Sequence, residues 1–361
     1  MNKIKILIAF VLLSNVALAQ TTSKKEEAFE IGNKAVELMD KGEFKESIKL
    51  LEKAKKLDPD NIVYPYEIAY AHYIQKDYSE SIKILKELVN KEDAIPHVFQ
   101  LLGNSYDYIG DTTSAFKAYD KGLEKFPKSG MMYLEKGNVY WNQKAYLKAL
   151  PFYEKGIELD PTFASNYYRA ARVYCASNEE LWGMIYGEIF MNLERGTKRT
   201  AEISKLLFDT YKREIKFTSD TSFSVSFSSN MVIDISDLKS LALPYGTAVY
   251  EPTLLFSIVD IDTITINTLD TIRTKFLYNY FENKHHKKYP NVLFDYQKSV
   301  QEAGHLEAYN YWILMKGDDQ ESDKWIESNQ EKWDEFINWF GKNKLQINEG
   351  NKFYSDMYKS Q

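Results

Sequence analysis

The sequence of 361 residues contains a single cysteine, Cys175, and only five histidines. One cysteine cannot form an internal disulfide, so packing alone must hold the fold together. The formal net charge is −6, which excludes the basic footprint expected of a nucleic-acid-binding protein. After residue 19, no segment is long and apolar enough to cross a membrane.

Motifs that carry chemistry are also missing. The sequence has no HExxH pattern, no pair of CxxC elements, no GxSxG and no phosphate-binding or dinucleotide-binding glycine pattern. His285 and His286 stand among lysines and indicate a solvated basic loop, while His305 precedes a helix and is expected to be structural or exposed. Cys175 is either a reactive thiol or, as we favour, a small apolar residue at a helix interface. We therefore predict no metal, no cofactor and no catalytic residue.

The first 19 residues have the organisation of a secretory signal peptide. A short basic start (Lys3 and Lys5) precedes an apolar run from Ile6 to Leu13, and Ala17-Leu18-Ala19 resembles a cleavage site before Gln20. The apolar run is too short to span a bilayer. The sequence predicts an exported protein, periplasmic or secreted, whose mature chain has no transmembrane segment.

A repeat of 34 residues is the strongest pattern in the chain. Pro127 and Pro161 are 161 − 127 = 34 residues apart, and the stretches that end at them match in kind. The matched pairs are Phe99/Tyr133, Gly103/Gly137, Asn104/Asn138, Tyr106/Tyr140, Ala115/Ala149, Tyr119/Tyr153 and Gly122/Gly156. Large residues at these positions fill the seam between two short helices, and small residues let the backbones approach.

This period and spacing resemble the tetratricopeptide repeat. The resemblance implies a mainly α fold, a solenoid of helical hairpins. About five repeats lie between Ala28 and Glu194, and Thr200 to Ile215 would form a capping helix. We predict residues 20–215 as the solenoid and 216–361 as a mainly helical C-terminal domain that the resemblance does not cover. Pro151 falls inside a predicted repeat helix and should kink it.

The pattern changes after the repeats. Phe223 to Phe227 alternates with period two, and a turn signal precedes Met231 to Ile235, which predicts a β-hairpin over 222–235. Residues 237–253 resemble an irregular connection. The helices predicted beyond it are 252–259, 268–283, 291–301, 306–315 and 321–342.

The family resemblance also indicates where a partner would bind. In such arrays the first helix of each pair lines a concave groove that holds extended peptides. The matching positions here are Tyr66, Tyr70, Tyr73, Gln100, Asn104, Asp107, Tyr108, Asn138, Trp141, Asn142, Tyr168, Arg169 and Arg172. Amides suit a peptide backbone, aromatics offer broad contact, and Arg can grip a carboxylate. The alternative for any one of these residues is that it serves helix packing.

Some members of the family hold a terminal carboxylate with lysines, asparagines and an arginine. Here Gln100, Glu135 and Ser165 occupy positions where that clamp needs Lys, Asn and Lys, so we reject binding of chaperone tails. We predict a non-enzymatic scaffold or adaptor of the bacterial cell envelope that binds a protein or peptide in the groove. The alternative is an enzyme or glycan-handling protein that acts through the C-terminal domain, with the repeats as its docking module. A third interpretation is a peripheral component of an assembly at the inner face of an outer membrane.

Overall fold

The computed structural model describes residues 23–219, 222–228 and 243–359. These residues are mainly helical, as the sequence predicts, and they include one small sheet of two strands. The chain divides into two compact units, the first ending at Pro127 and the second beginning at Lys128. The predicted signal peptide, residues 1–19, lies outside the described residues.

The first unit is a series of helices that pack on their neighbours in chain order. They are α1 (residues 23–40), α2 (Phe44–Leu57), α3 (Val63–Ile74), α4 (Tyr78–Leu88), α5 (Pro96–Tyr108) and α6 (Thr112–Lys125). Two of them begin with the same cap, one repeat apart. Asp77 accepts the backbone N–H of Glu80 at 3.2 Å, and Asp111 accepts that of Ser114 at 3.0 Å. Such caps satisfy N–H groups that the first helical turn leaves unpaired.

The second unit continues the pattern. Its first helices are α7 (Gly130–Asn142), α8 (Tyr146–Leu159), α9 (Ala164–Tyr174), α10 (Glu180–Leu193) and α11 (Lys198–Glu214). Helix α8 runs through Pro151 and continues to Leu159. A capping box between Thr197 and Thr200 begins α11, which confirms a further helix after the repeats.

The repeated glycines lie where the helices of a pair come closest. A Cβ atom on Gly103 would stand 2.1 Å from the Tyr119 ring, and one on Gly137 would stand 2.3 Å from the Tyr153 ring. Both tyrosines are fully buried. The large and small residues that carry the sequence repeat are therefore packed against each other, in both units.

Helix α10 is unlike the other repeat helices because every residue from Glu180 to Asn192 is buried. It packs against α9, α11 and a later helix, α15 (Val292–Glu302). An apolar surface on all sides of a helix requires cover on all sides. One hydrophobic core accordingly runs from Ala149 to Tyr358. The predicted domain boundary at residue 215 does not coincide with a break in this packing.

The remaining elements of the second unit follow α11. They are β1 (Ile215–Ser219), β2 (Ser222–Val225), a π-helical turn (Gly246–Tyr250) that runs into α12 (Glu251–Ile258), α13 (Ile266–Glu282), α14 (His285–Lys288), the helix α15, α16 (Leu306–Leu314), α17 (Asp319–Ser328), α18 (Gln330–Lys342) and α19 (Asp356–Lys359). Four of the predicted helices therefore appear within two residues of their expected ends, at α12, α13, α15 and α16.

The hairpin differs from the prediction in its partner. Strand β2 pairs antiparallel with β1, with Phe217 opposite Phe223, so the first strand directly continues α11. The expected partner, Met231 to Ile235, lies outside the described residues. The sequence predicted a helix up to Ile215 and no strand over the residues of β1. The residues just after β2 are bonded to the start of α12, because the N–H groups of Phe227 and Ser228 donate to Glu251 Oε1 at 2.7 and 2.8 Å.

Three further predictions need correction. The long helix over 321–342 is two helices, which meet at Asn329 with its backbone at φ −130° and ψ 34°, outside helical geometry. Residues 245–253 are helical rather than irregular. His285 and His286 form a short half-buried helix instead of a solvated loop, and His286 stacks on Phe281 with ring centroids 4.7 Å apart.

Candidate functional site

Five tyrosines form a connected aromatic surface on the first unit. We call this set, Tyr66, Tyr70, Tyr73, Tyr78 and Tyr108, the tyrosine stripe. Ring centroids are 6.5 Å apart for Tyr66 and Tyr70, 6.4 Å for Tyr70 and Tyr73, and 5.6 Å for Tyr73 and Tyr108. Tyr78 stacks on Tyr108 at 5.0 Å. The sequence predicted four members as groove residues and missed Tyr78.

Helical spacing explains the stripe. Tyr66, Tyr70 and Tyr73 stand at i, i+4 and i+7 on α3, so their side chains emerge on one face. The structure leaves 37% of Tyr70 and 64% of Tyr108 exposed. Burial, with smaller contributions from Glu67 and Tyr70, raises the pKa of Tyr66 to about 12. Like any tyrosine hydroxyl, that of Tyr66 is protonated at neutral pH and can donate a hydrogen bond.

Asn104 and Asn138, which the sequence placed in the groove, make the same contact one repeat apart. The hydroxyl of Tyr119 donates to Asn104 Oδ1 at 2.6 Å, and that of Tyr153 donates to Asn138 Oδ1 at 3.2 Å. The Asn138 amide also donates to Glu135 Oε2 at 3.0 Å. Each asparagine thus satisfies the hydroxyl of the tyrosine that packs against the repeated glycine. These bonds support the packing interpretation for both asparagines.

Three other predicted residues are polar and less informative. Gln100 and Asp107 are half-buried on α5, and Asn142 is exposed at the end of α7. All three have interaction partners within the protein.

The second unit presents a compact group of one tryptophan and two arginines, which we call the Trp–Arg cluster. The guanidinium carbons of Arg169 and Arg172 lie 4.6 and 4.7 Å from the centroid of the Trp141 ring. Trp141 packs edge-on against Tyr146 at 4.8 Å. Cation–π contact of this kind fixes the arginines in place without removing their charge. The sequence predicted Trp141, Arg169 and Arg172 and missed Tyr146.

Tyr168, another predicted residue, contacts both arginines of this cluster. It is buried, and its hydroxyl donates to Glu202 Oε2 at 2.6 Å. It accepts a hydrogen bond from Arg172 Nη1 at 3.1 Å, and Arg172 Nε lies 3.2 Å from Glu202 Oε1. Burial and the bond to Glu202 raise the pKa of the Tyr168 hydroxyl. Arg199, which the sequence reading did not single out, lies over the Tyr168 ring at 5.0 Å.

Two clefts open beside Arg172. The first, of about 670 Å³, lies between the end of α7, the start of α8 and the end of α9. Its walls are Trp141, Tyr146, Leu147, Leu150, Arg172, Val173, Tyr174, Ala176, Ser177, Asn178 and Glu179. The second, of about 680 Å³, is lined by Arg172, Lys198, Ala201, Glu202, Lys205, Leu206, Asp209, Lys316 and Asp319. The repeat pattern could not reveal either cleft, because their walls come from helix ends and from α11.

A buried ion pair stands at the centre of the second unit. Glu188 on α10 is bonded by Arg273 at 2.7 and 2.9 Å, and its Oε1 also accepts from Gln297 at 2.5 Å and Tyr309 at 2.9 Å. Arg273 Nε donates to Asn310 at 2.8 Å. The adjoining cavity of about 30 Å³ has room for a water molecule or two. These groups satisfy one another, so this cluster favours a structural role over catalysis.

Glu154 and Cys175 are likewise enclosed. The Glu154 carboxylate accepts hydrogen bonds from the hydroxyl groups of Tyr174 at 2.6 Å, Tyr186 at 2.5 Å and Ser355 at 2.7 Å. Cys175 is 1% exposed, and burial raises its pKa to about 12. A thiol that stays protonated and covered is unreactive, which supports the apolar interpretation of this cysteine.

The part of the chain that the structure describes offers neither a cluster of metal ligands nor a membrane-spanning helix. Within residues 23–219, 222–228 and 243–359, no three His, Cys, Asp or Glu side chains are grouped so as to hold a metal ion. In the same residues no helix combines the length and apolar character needed to cross a membrane.

Comparison with known proteins places the repeats. Family models of the tetratricopeptide repeat match residues 31–61 and 101–162. The TPR repeat-containing protein MJ0940 of Methanocaldococcus jannaschii is 32% identical over 96 residues, covering 26% of this chain and 30% of that protein. The Hsp70-Hsp90 organizing protein of Triticum aestivum is 24% identical over 165 residues, covering 46% of this chain and 28% of that protein. The chain thus spans less than a third of the length of each relative.

A solved structure of the pilF protein of Pseudomonas aeruginosa is 14% identical, with a TM-score of 0.43, and covers 53% of this chain and 86% of that one. The family matches cover α2, α6, α7 and α8 completely and parts of α1 and α5. Tetratricopeptide repeat proteins generally mediate protein–protein interactions and are typically not enzymes. The helix pairs and the family matches together show that this chain contains tetratricopeptide repeats, at residues 31–61 and 101–162.

Proposed function

We propose that this protein is a non-enzymatic scaffold that binds a protein or peptide partner through its repeat helices. The observation that carries the proposal is the tyrosine stripe, with Tyr70 and Tyr108 exposed and all five rings in contact. Soluble proteins rarely leave connected aromatic surface uncovered unless it has a function. Tyrosine is also enriched among the residues that dominate binding energy at interfaces.

The chemistry of the stripe suits a polypeptide. Each ring offers broad apolar contact at little cost in rotamer entropy, and each hydroxyl can pair with a backbone group. The name of one relative, the Hsp70-Hsp90 organizing protein, describes a protein that organises others, which is the kind of role proposed here.

We test this proposal with the double variant Tyr70→Ser/Tyr108→Ser. Partners are first identified by crosslinking the tagged protein in cells, and binding of the purified partner is then measured. We expect the double variant to bind at least about tenfold more weakly, because exposed aromatic anchors dominate such interfaces. Tyr278→Ser is the matched control, since Tyr278 is 59% exposed and lies on α13, outside the stripe. Equal affinity of the double variant and the wild type would contradict the proposal.

We also propose that the protein is exported and works in the cell envelope, at the periphery of an assembly or as a free soluble protein. The proposal rests on the sequence pattern of residues 1–19. Protein purified from its natural host should begin at Gln20, as read by N-terminal sequencing, and should be released with the periplasmic or culture fraction. Protein that retains Lys3 and Lys5 and stays with the cytoplasmic fraction would contradict export.

A further inference from the structure

The first cleft beside Arg172, which we call the Arg172 cleft, combines apolar walls with one fixed cation. Leu147 is 73% exposed and Tyr146 is 42% exposed, although both line a concave surface. The rest of the lining includes the apolar side chains of Trp141, Leu150 and Val173 and the polar ones of Ser177, Asn178 and Glu179. An exposed concave apolar surface of this size accommodates a bulky apolar side chain. Binding removes the apolar surface of both the cleft and the side chain from water, which is favourable.

Arg172 is held ready for a carboxylate. Its guanidinium is stacked on Trp141 at 4.7 Å and bonded to the Tyr168 hydroxyl at 3.1 Å, so its position is fixed in advance. Its ion pair with Glu202 lies at the surface, with the two side chains 31% and 47% exposed. Pairs of this kind contribute little free energy. A carboxylate from a ligand can therefore replace Glu202 at small cost while the stacking on Trp141 is kept.

Arg172 lines both clefts, which decides the source of the carboxylate. The second cleft beyond it is open. It is lined by Lys198, by Lys205 paired with Asp209 at 3.0 Å, and by Lys316 paired with Asp319 at 2.8 Å. A chain that places an apolar side chain in the Arg172 cleft and a carboxylate at Arg172 can continue into the second cleft. A free C-terminus would instead leave the second cleft unused. The surface therefore complements an acidic side chain inside an extended segment.

We propose that the Arg172 cleft binds a partner segment in which a bulky apolar residue lies next to an aspartate or glutamate. The inference rests on the proposed function and specifies the kind of segment that the second unit selects. The charge complementarity at Arg172 fixes the acidic residue, and the walls around Leu147 fix the apolar one.

Blocked ten-residue Gly/Ser peptides, acetylated and amidated, provide the first test. One set carries Leu and Asp adjacent in either order or separated by one glycine, and two matched sets carry Leu with Asn or Ser with Asp. Binding of labelled peptides is measured by fluorescence anisotropy. At least one Leu/Asp peptide should bind about tenfold more tightly than its Leu/Asn counterpart, because a charge-assisted bond is lost. Equal binding of the three sets would overturn the inference, as would binding that requires a free C-terminal carboxylate.

Three variants of the full chain provide the second test. Arg172→Gln should remove the preference for Asp over Asn, and Leu147→Ser should remove the preference for Leu over Ser. Glu202→Gln should strengthen binding of the Leu/Asp peptide, since it frees Arg172 from its competitor. Lys332→Gln and Phe256→Ser are the controls. Lys332 is an exposed cation of the same unit, and Phe256 at 72% exposure matches Leu147 outside the cleft. Unchanged preferences in Arg172→Gln and Leu147→Ser would overturn the assignment.

The two proposals fail in different ways. If the peptides show no preference while binding of the partner still depends on Tyr70 and Tyr108, the scaffold function stands and the Arg172 cleft does not select the partner segment. If the stripe variant binds the partner normally and the peptides bind as expected, the cleft is a site in its own right and the tyrosine stripe is not the docking surface.

Discussion

Replacing Arg273 by methionine is expected to lower the free energy of unfolding of the second unit by about 3–5 kcal/mol. Arg273 is 8% exposed and is the cationic partner of Glu188, which is 3% exposed. Methionine fills much of the same volume but leaves the carboxylate buried with only the neutral donors Gln297 and Tyr309. The large expected cost comes from the uncompensated charge and not from the value of the pair itself. The Glu188 carboxylate more than offsets the effect of burial on Arg273 and raises its pKa, so the arginine is charged in the native protein.

Tryptophan fluorescence during urea unfolding reports this effect specifically. All six tryptophans, from Trp141 to Trp339, lie in the second unit, so the signal follows that unit and not the first. Lys332→Met is the control because Lys332 pairs with Glu307 at the surface, and it should cost less than about 1 kcal/mol. The double variant Arg273→Met/Glu188→Gln should recover part of the loss, since no unpaired charge remains. A shift for Arg273→Met no larger than that of Lys332→Met would contradict the account of the core.

The variant Gly183→Ala is expected to destabilise the second unit by about 2 kcal/mol, although alanine is the better helix former. Gly183 lies in the first turn of α10, where this helix packs against the C-terminal end of α9. An added Cβ would stand 2.5 Å from Cys175 Sγ, 2.7 Å from the Cys175 backbone nitrogen and 3.1 Å from the Ala171 carbonyl oxygen. Two of these atoms belong to the backbone of the neighbouring helix, so relief requires α9 and α10 to move apart.

Gly341→Ala is the opposite control for the same substitution. Gly341 lies in α18, and a Cβ there would meet nothing within 4 Å. It should be neutral or stabilise the unit by up to about 1 kcal/mol, through the conformational entropy of glycine. A second measurement is the reaction of Cys175 with a thiol reagent, which should be slow in the wild type and faster in Gly183→Ala. A stabilised Gly183→Ala variant with an unreactive thiol would mean that the two helices are not in close contact.

Much of the fold could be predicted from the sequence because the two helices of each repeat pack on each other through residues at fixed spacings. Gly103 with Tyr119 and Gly137 with Tyr153 specify the same close approach at the same spacing, so period alone identified the helix pairs. The helix after the repeats followed from the apolar stripe of Ile203, Leu206, Leu207 and Tyr211. The strand at 215–219 was missed because it continues α11 without a break, and its residues join a helical pattern to an alternating one.

The candidate site was predicted in part. The family spacing found Tyr66, Tyr70 and Tyr73 because a helix face can be counted along the sequence. It could not show which of these residues also bond within their own hairpin, as Asn104 and Asn138 do with Tyr119 and Tyr153. The walls of the Arg172 cleft were out of reach. Leu147 and Glu179 are far apart in sequence and meet only because α8 and the end of α9 converge.

The sequence by itself determined the repeated helix pairs and the aromatic face of α3, because these depend on spacings within one or two neighbouring elements. The tertiary structure decided what covers the fourth and fifth repeats. Helix α10 is buried by segments that lie as much as a hundred residues or more further along the chain, such as the one that holds Tyr309. The tertiary structure also decided which groove positions remain exposed. The physical reason is the same in both cases: local periodicity records which face of a helix is apolar, whereas the partner that covers that face depends on contacts that no local pattern encodes.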